Sequence, residues 1–228
     1  WARAVVSAAA GLATAGFFSW LVLLWTWIAA PLGRVFSIGL VLSSIALLIW
    51  LRVWRWWRVL LPGAAAVGGA LLFSVGLLLL WYEATDPYVE AEGRFYPSEL
   101  PTDDRLPGLL ATWLAQPGSG GLLLGDWLPS DRPPLQAGFV LIGRAWLMPL
   151  ATALGVAEEV GDHATGVAAQ LLWLPAALAL LAALGYTARS IYAAIAFVVI
   201  SPTIFANTVF TWPKMLAAAF AIAAVAVL

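Results

Sequence analysis

The sequence predicts an all-α integral membrane protein with about six transmembrane helices and one large external loop carrying short interfacial helices. Three observations predict it. Hydrophobic residues make up 63% of the 228 residues and charged residues only 10%, whereas soluble domains are about 25% charged. The apolar residues fall into runs long enough to cross a bilayer. All twelve carboxylates, and the single histidine His163, lie between residues 83 and 163. A net charge of −1 leaves no basic surface for nucleic acid. Cysteine is absent, so disulfides and thiolate metal sites are excluded. Membrane lipids are the first partners to expect, and the expected location is a cell membrane, crossed several times. The chain opens on Trp1 and stops at Leu228 within an apolar run, so both ends read as cuts through a longer protein.

A spanning helix takes about 20 apolar residues. Residues 4–30 supply a first span and 35–51 a second, with Pro31, Gly33 and Arg34 forming the tight break between them. Residues 52–58 read RVWRWWR, in which Arg52, Arg55 and Arg58 alternate with Trp54, Trp56 and Trp57. Arginine with tryptophan at a helix end is a headgroup-level anchor, and positive charge in a short loop marks the cytoplasmic side. This closes a first unit, residues 1–58. The second unit, 59–228, opens with a span over 59–81 that leaves the cytoplasm, so the loop 82–164 is external.

Within that loop, residues 82–104 are punctuated by Pro87, Gly93, Pro97 and Pro101 and read as irregular. Leu106, Leu109, Leu110, Trp113 and Leu114 recur at helical spacing along one face. Asp103 and Asp104 precede them, where acidic residues favour a helix start. The segment 106–116 reads as an amphipathic helix at the outer interface. A Gly/Pro/Ser turn, 116–121, and a loop, 125–134, follow.

The stretch 135–154 is apolar but holds Arg144 and Pro149, so it is either a second interfacial helix or a further span. As a span it would put the acidic residues 157–163 in the cytoplasm and Arg189 outside, against the positive-inside bias. Arg144 at mid-bilayer would also cost about 2.5–3.5 kcal/mol. The interfacial reading is preferred. Residues 165–186 then run inward, 191–206 return outward with Pro202 kinking or ending the span, 207–214 turn outside, and 215–228 start back. His163, beside Glu158, Glu159 and Asp162, reads as a solvated loop residue rather than a second base.

Two clusters in the external loop carry chemistry. The first is Asp103-Asp104-Arg105. The second is Asp126 with Asp131-Arg132-Pro133-Pro134-Leu135. A carboxylate serves as a general base on a hydroxyl or holds a divalent cation. Arginine is suited to bidentate contact with phosphate. Carboxylates and arginines together at a membrane surface suit a substrate with a phosphate and a lipid tail. Taken singly, each acid also has a plainer use, as a helix cap or as a partner in a surface turn.

These residues are similar to a pattern in the C-type superfamily of polytopic membrane glycosyltransferases, which includes protein mannosyltransferases, the lipid A aminoarabinose transferase and mycobacterial arabinosyltransferases. Many members carry Asp-Glu on the first external loop, followed about eight residues later by alanine. Here Asp103-Asp104 precedes Ala111 at that spacing. Members then show a basic residue followed by Pro-Pro-Leu, as in Arg132 to Leu135. The resemblance covers roughly residues 59–228 and leaves the first two spans outside.

The resemblance implies transfer of a sugar from a polyprenyl-phosphate donor to a hydroxyl of a glycan, lipid or protein, outside the cytoplasm. Asp103 would take the acceptor proton or orient a metal that does so, and Asp104 would support it. Arg132, helped by Arg105, Arg144 or Lys214, would stabilise the leaving phosphate. Asp126 and Asp131 would join the substrate-binding set. The competing reading is a transporter, or a lipid-binding or scaffold subunit without catalysis. A transporter is disfavoured by the lack of an ionisable residue at the centre of any expected span.

Overall fold

The computed structural model describes residues 2–52, 57–80, 86–89, 91, 103–116, 126–131 and 133–228; for residues 2–6, 57–64, 77–80 and 129 it describes the backbone alone. The expected anchor at 52–58 falls largely outside these residues, as do Arg132 and most of the stretches 82–102 and 117–125. Among the described residues every regular element is helical. In chain order these are α1 (Ala2–Ile28), α2 (Ala30–Trp50), α3 (Trp57–Leu80), α4 (Leu106–Ala115), α5 (Leu135–Trp146), α6 (Met148–Ala153), α7 (Glu158–Gln170), α8 (Trp173–Ala183), α9 (Ala188–Val199), α10 (Pro202–Val209) and α11 (Lys214–Val227).

Three stretches are long and apolar enough to cross a membrane: Ser7–Ile28, Ala30–Trp50, and Glu158–Ala183, which joins α7 to α8. A fourth is added if α9 and α10, bent by 69° at their junction, count as one span. Proline at the first turn of α10 accounts for the bend, because it has no N–H to continue the α9 ladder. The count among the described residues is thus three or four rather than about six. The expected span at 59–81 falls on the 24-residue α3, of which Ala65–Gly76 is the apolar part with described side chains, and the expected span at 215–228 falls on the 14-residue α11. The sides of α2 support a membrane setting. It buries Gly33 and Ser37 and leaves Leu42, Ile45, Leu48 and Ile49 exposed, an apolar surface that needs lipid or another protein to cover it.

The break after α1 is a close hairpin. Ala29 is extended, and Pro31 sits in the first turn of α2. A Cβ on Gly33 would lie 2.0 Å from the Thr26 hydroxyl, so only glycine lets the two helices approach this closely. Thr26 and Ser37 return their hydroxyls to carbonyls one turn back, of Val22 and Gly33, which satisfies these two buried hydroxyls within their own helices. Turns at Gly155 and Gly185 end α6 and α8 with φ of +71° and +83°. There Val156 and Tyr186 donate back to Ala151 and Leu181, satisfying carbonyls at the helix ends.

Helix α5 is the first part of the stretch expected to lie at the interface. It packs lengthwise between α1, α4 and α7. Along α7 the pairing is antiparallel: Arg144 meets Asp162, Gly143 meets Thr165, and Gln136 meets Gln170. Against α1, Gly138 lies on the Ser19 carbonyl, and the Ser19 hydroxyl donates to Leu135 O at 2.7 Å. Ala137, Val140 and Leu141 fill a core with Val22 and Leu23 of α1 and Leu110, Ala111 and Leu114 of α4. The apolar face of α5 therefore serves protein packing, and its small residues Ala137, Gly138 and Gly143 permit the approach. A second core joins α7, α8, α9 and α11 through Val167, Leu171, Leu174, Ile195 and Ala219.

Candidate functional site

Asp103 and Asp104 form a short 3-10 turn with Arg105, directly before α4. Each carboxylate residue is only 1% exposed. Proline in the first turn of α4 suits this start, since its missing N–H is not needed there. The turn docks on the segment after α10: the Thr211 hydroxyl donates to Asp104 O at 3.3 Å. Arg105 pairs with Asp86 at 3.0 Å and lies 5.5 Å from the ring centre of Tyr88. Asp86 in turn accepts from the backbone N–H groups of Tyr88 and Val89. The pair is thus held in the protein rather than in solvent.

Tyr88 is the hub beside it. Its ring meets the His163 imidazole edge-on, with centroids 5.0 Å apart. Its hydroxyl and Asp162 Oδ2 both border Gly108, 3.6 and 3.4 Å from where a Cβ would sit. Burial pushes the phenol well above its ordinary value, and the charges of Asp162 and Asp104 push it further, against Arg144 and Arg105. His163 departs from the solvated reading. It is 2% exposed, and its Nε2 lies 2.7 Å from Val209 O. Residues 158–163, expected as loop, form the first turns of α7. His163, Gly166, Val167 and Gln170 share its inner face.

Arg144 ties three helices together. Its Nε donates to Asp162 Oδ1 at 2.9 Å, and one terminal nitrogen donates to Asp162 Oδ2, the Thr112 hydroxyl and Gly108 O. The other terminal nitrogen is 3.2 Å from Glu158. Burial works against the guanidinium charge, but the hydrogen bond and charge of Asp162, then the charge of Glu158, hold it above its ordinary value. Below this clamp a second polar line crosses the bundle. Gln136 donates to Thr211 O at 2.7 Å, Gln170 donates to Gln136 Oε1 at 3.0 Å, and Leu216 N donates to Gln170 Oε1 at 3.1 Å.

Of the residues expected at the site, the structure brings Asp104, Arg105 and Arg144 around Tyr88, with Asp103 adjoining. It does not bring in Asp126, Asp131 or Lys214. Asp126 and Asp131 are exposed, and Asp131 accepts from Leu128 N at 2.8 Å in a local turn. Lys214 is exposed at the start of α11, its ammonium 3.2 Å from the Trp212 ring centre. Arg132 lies outside the described residues. Tyr88, Asp162, His163 and Gln136 were missed by the sequence reading. Asp103 and Asp104 supply adjacent carboxylate oxygens suited to a hard cation. Among the described residues no three His, Asp or Glu side chains gather as a metal site.

A cavity of about 850 Å³ lies beside the Arg144 clamp, between the α1–α2 hairpin, the end of α4, and α5 to α7. It is bordered by Arg34, Gln116 and Glu158 among polar residues and by Leu141 and Met148 among apolar ones. No protein-family model matches the chain, and neither does any curated protein or solved structure.

Proposed function

We propose that the chain is part of a multi-pass membrane glycosyltransferase that moves a sugar from a polyprenyl-phosphate donor to a hydroxyl acceptor on the extracytoplasmic side. The observation that carries the reading is the burial of Asp103 and Asp104, each 1% exposed at the head of α4. Withdrawing carboxylates from water is costly unless they are compensated, and a helix start needs no such burial. Buried carboxylates with arginines beside them, in a bundle of membrane-span composition, suit acid–base work on a phosphate-linked substrate. The resemblance of Asp103-Asp104 and Ala111 to the glycosyltransferase pattern points the same way.

In the proposed step the acceptor hydroxyl gives its proton to Asp103, or to a base that Asp103 orients. The oxygen then forms a bond to the anomeric carbon. The bond from that carbon to the phosphate oxygen breaks, and polyprenyl phosphate leaves with the electron pair. Arg105, and Arg132 as the sequence resemblance implies, would stabilise that charge. A divalent cation on the aspartates would serve the same end.

The test is transfer from a labelled polyprenyl-phosphate sugar by the full-length protein in native membranes. Asp103→Asn should abolish transfer, and Asp126→Asn should leave it nearly unchanged. Full activity in Asp103→Asn would sink the assignment. A non-catalytic scaffold is favoured by one observation, the mutual neutralisation of Arg144, Asp162 and Glu158. On that reading Asp103→Asn changes folding yield and nothing else.

A further inference from the structure

The cavity beside Arg144 has three properties that rarely coincide. The first is its depth. All three stretches able to cross a membrane bring an end to it: Thr26 near the end of α1, Ala30 at the start of α2, and Glu158 at the start of α7. It therefore sits where the apolar spans give way to the headgroup layer. The second is its size, about 850 Å³, which falls within the range of small-molecule sites, about 300–1,000 Å³.

The third is its charge. Arg34 borders the cavity from the hairpin and Arg144 from α5. Arg34 is exposed, and among the described residues it makes no ion pair or hydrogen bond. The start of α2 borders the same space without a side-chain cap, so the positive end of a 21-residue helix adds to the field. Glu158 opposes it. Its side chain is 52% exposed and bonds only one terminal nitrogen of Arg144, while Asp162, Thr112 and Gly108 O hold the rest. An arriving anion needs only to turn Glu158 out into water. Leu141 and Met148 supply apolar wall for an attached chain, and methionine adapts its shape readily.

We propose that this cavity binds a phosphate-bearing amphiphile, with the phosphate between Arg34 and Arg144 and the first methylenes on Leu141 and Met148. The N-terminal hairpin is then one wall of a lipid-binding site. The inference does not rest on the transferase reading: it uses neither Asp103 nor Asp104, and residues 26–37 lie outside the stretch that resembles glycosyltransferases. Arginine is the suited residue, because its planar fork meets phosphate oxygens in pairs.

The experiment measures the thermal unfolding midpoint of the full chain in a neutral maltoside detergent, with four added probes: decyl phosphate, dihexanoyl phosphatidylglycerol, inorganic phosphate and decanol. One or both phosphate amphiphiles should raise the midpoint, and which of them does so names a monoester or a diacyl lipid as the source. Inorganic phosphate and decanol should do much less. Arg34→Gln should weaken amphiphile binding at least about tenfold, the scale of one charge-assisted hydrogen bond, while leaving the ligand-free midpoint unchanged. Arg34→Lys should retain part of the affinity. Glu158→Gln should tighten binding, an outcome that a folding defect would not produce. An equal effect of decanol overturns the phosphate assignment, and an equal effect of inorganic phosphate overturns the amphiphile. Unchanged binding in Arg34→Gln overturns the site.

Discussion

Arg144 of α5 reaches Asp162 of α7 through its Nε and one terminal nitrogen, and that terminal nitrogen also bonds the Thr112 hydroxyl and Gly108 O on α4. The pair is buried, with side-chain exposures of 15% and 6%. Removing one partner leaves a charge in the interior, which typically costs about 3–5 kcal/mol. Arg144→Met should therefore lower the yield of monodisperse protein in detergent sharply. Arg144→Met with Asp162→Leu should recover much of the loss, since an apolar pair of similar volume replaces a buried ion pair at little cost. Size-exclusion profiles and unfolding midpoints of the three proteins check this. A double variant as poor as the single one would mean that the hydrogen bonds to α4, rather than the charge balance, hold the helices.

Two glycines on α5 make an opposed prediction. A Cβ on Gly138 would lie 2.2 Å from the Ser19 backbone carbonyl, and one on Gly143 would lie 2.4 Å from the Thr165 hydroxyl. A backbone carbonyl in mid-helix has nowhere to go, whereas a side chain can be shortened. Gly138→Ala should destabilise by about 1–3 kcal/mol and should not be rescued by Ser19→Ala. Gly143→Ala should be rescued in large part by Thr165→Ala. Thermal unfolding of the four proteins distinguishes the two contacts.

This contrast shows what the sequence could and could not carry. A break near residue 30 was legible from Pro31 and Gly33, but the structure closes the hairpin at Ala29 and takes Pro31, Gly33 and Arg34, expected as the break, into the first turns of α2. The kink at Pro202 was legible for the same local reason. Helix α5 was legible as a helix, but not its surroundings. Periodicity reports that one face is apolar, and it is silent on whether lipid or protein covers it. The small residues Ala137, Gly138 and Gly143 were the available signal for protein contact. At the site, Asp103 and Asp104 were found as an adjacent pair, and their burial was not. Arg144 was weighed for its cost in a bilayer, but its partner Asp162 lies eighteen positions away, and only the antiparallel packing of α5 on α7 joins them. His163 was misjudged because its acidic neighbours suggested solvent. Its place on one face with Gly166, Val167 and Gln170 was present in the sequence.

The glutamine pair offers a separate check on the core. Gln136 and Gln170 carry a chain of hydrogen bonds from Thr211 O to Leu216 N. Gln136→Leu removes two bonds and strands the Thr211 carbonyl and the Gln170 amide, at about 1–3 kcal/mol for each orphaned group. Gln136→Glu keeps the shape but replaces the donor to Thr211 O with a carboxylate oxygen. Both should lower the unfolding midpoint. Hydrogen exchange should then rise at the amide of Leu216, whose partner Gln170 is freed to rotate. Protection at Leu216 equal to that of the unmodified protein would show that the chain is not coupled.

Tyr88 makes the stability of the site depend on alkaline pH. Its phenol is held well above the ordinary value by burial, and further by Asp162 and Asp104. In the unfolded chain it ionises near pH 10, about the usual tyrosine value. Below that pH both states keep the proton, and its contribution is fully present. Above it the unfolded chain releases the proton while the folded protein retains it, so stability falls as pH rises until the folded phenol itself ionises. Tyr88→Phe keeps the ring against His163 and removes this titration. The difference in unfolding midpoint between the unmodified protein and Tyr88→Phe should be constant from pH 7 to about pH 9 and should shift in favour of the variant above about pH 10. A difference that stays flat through pH 11 would show that the hydroxyl is not held in its protonated form beside Asp162.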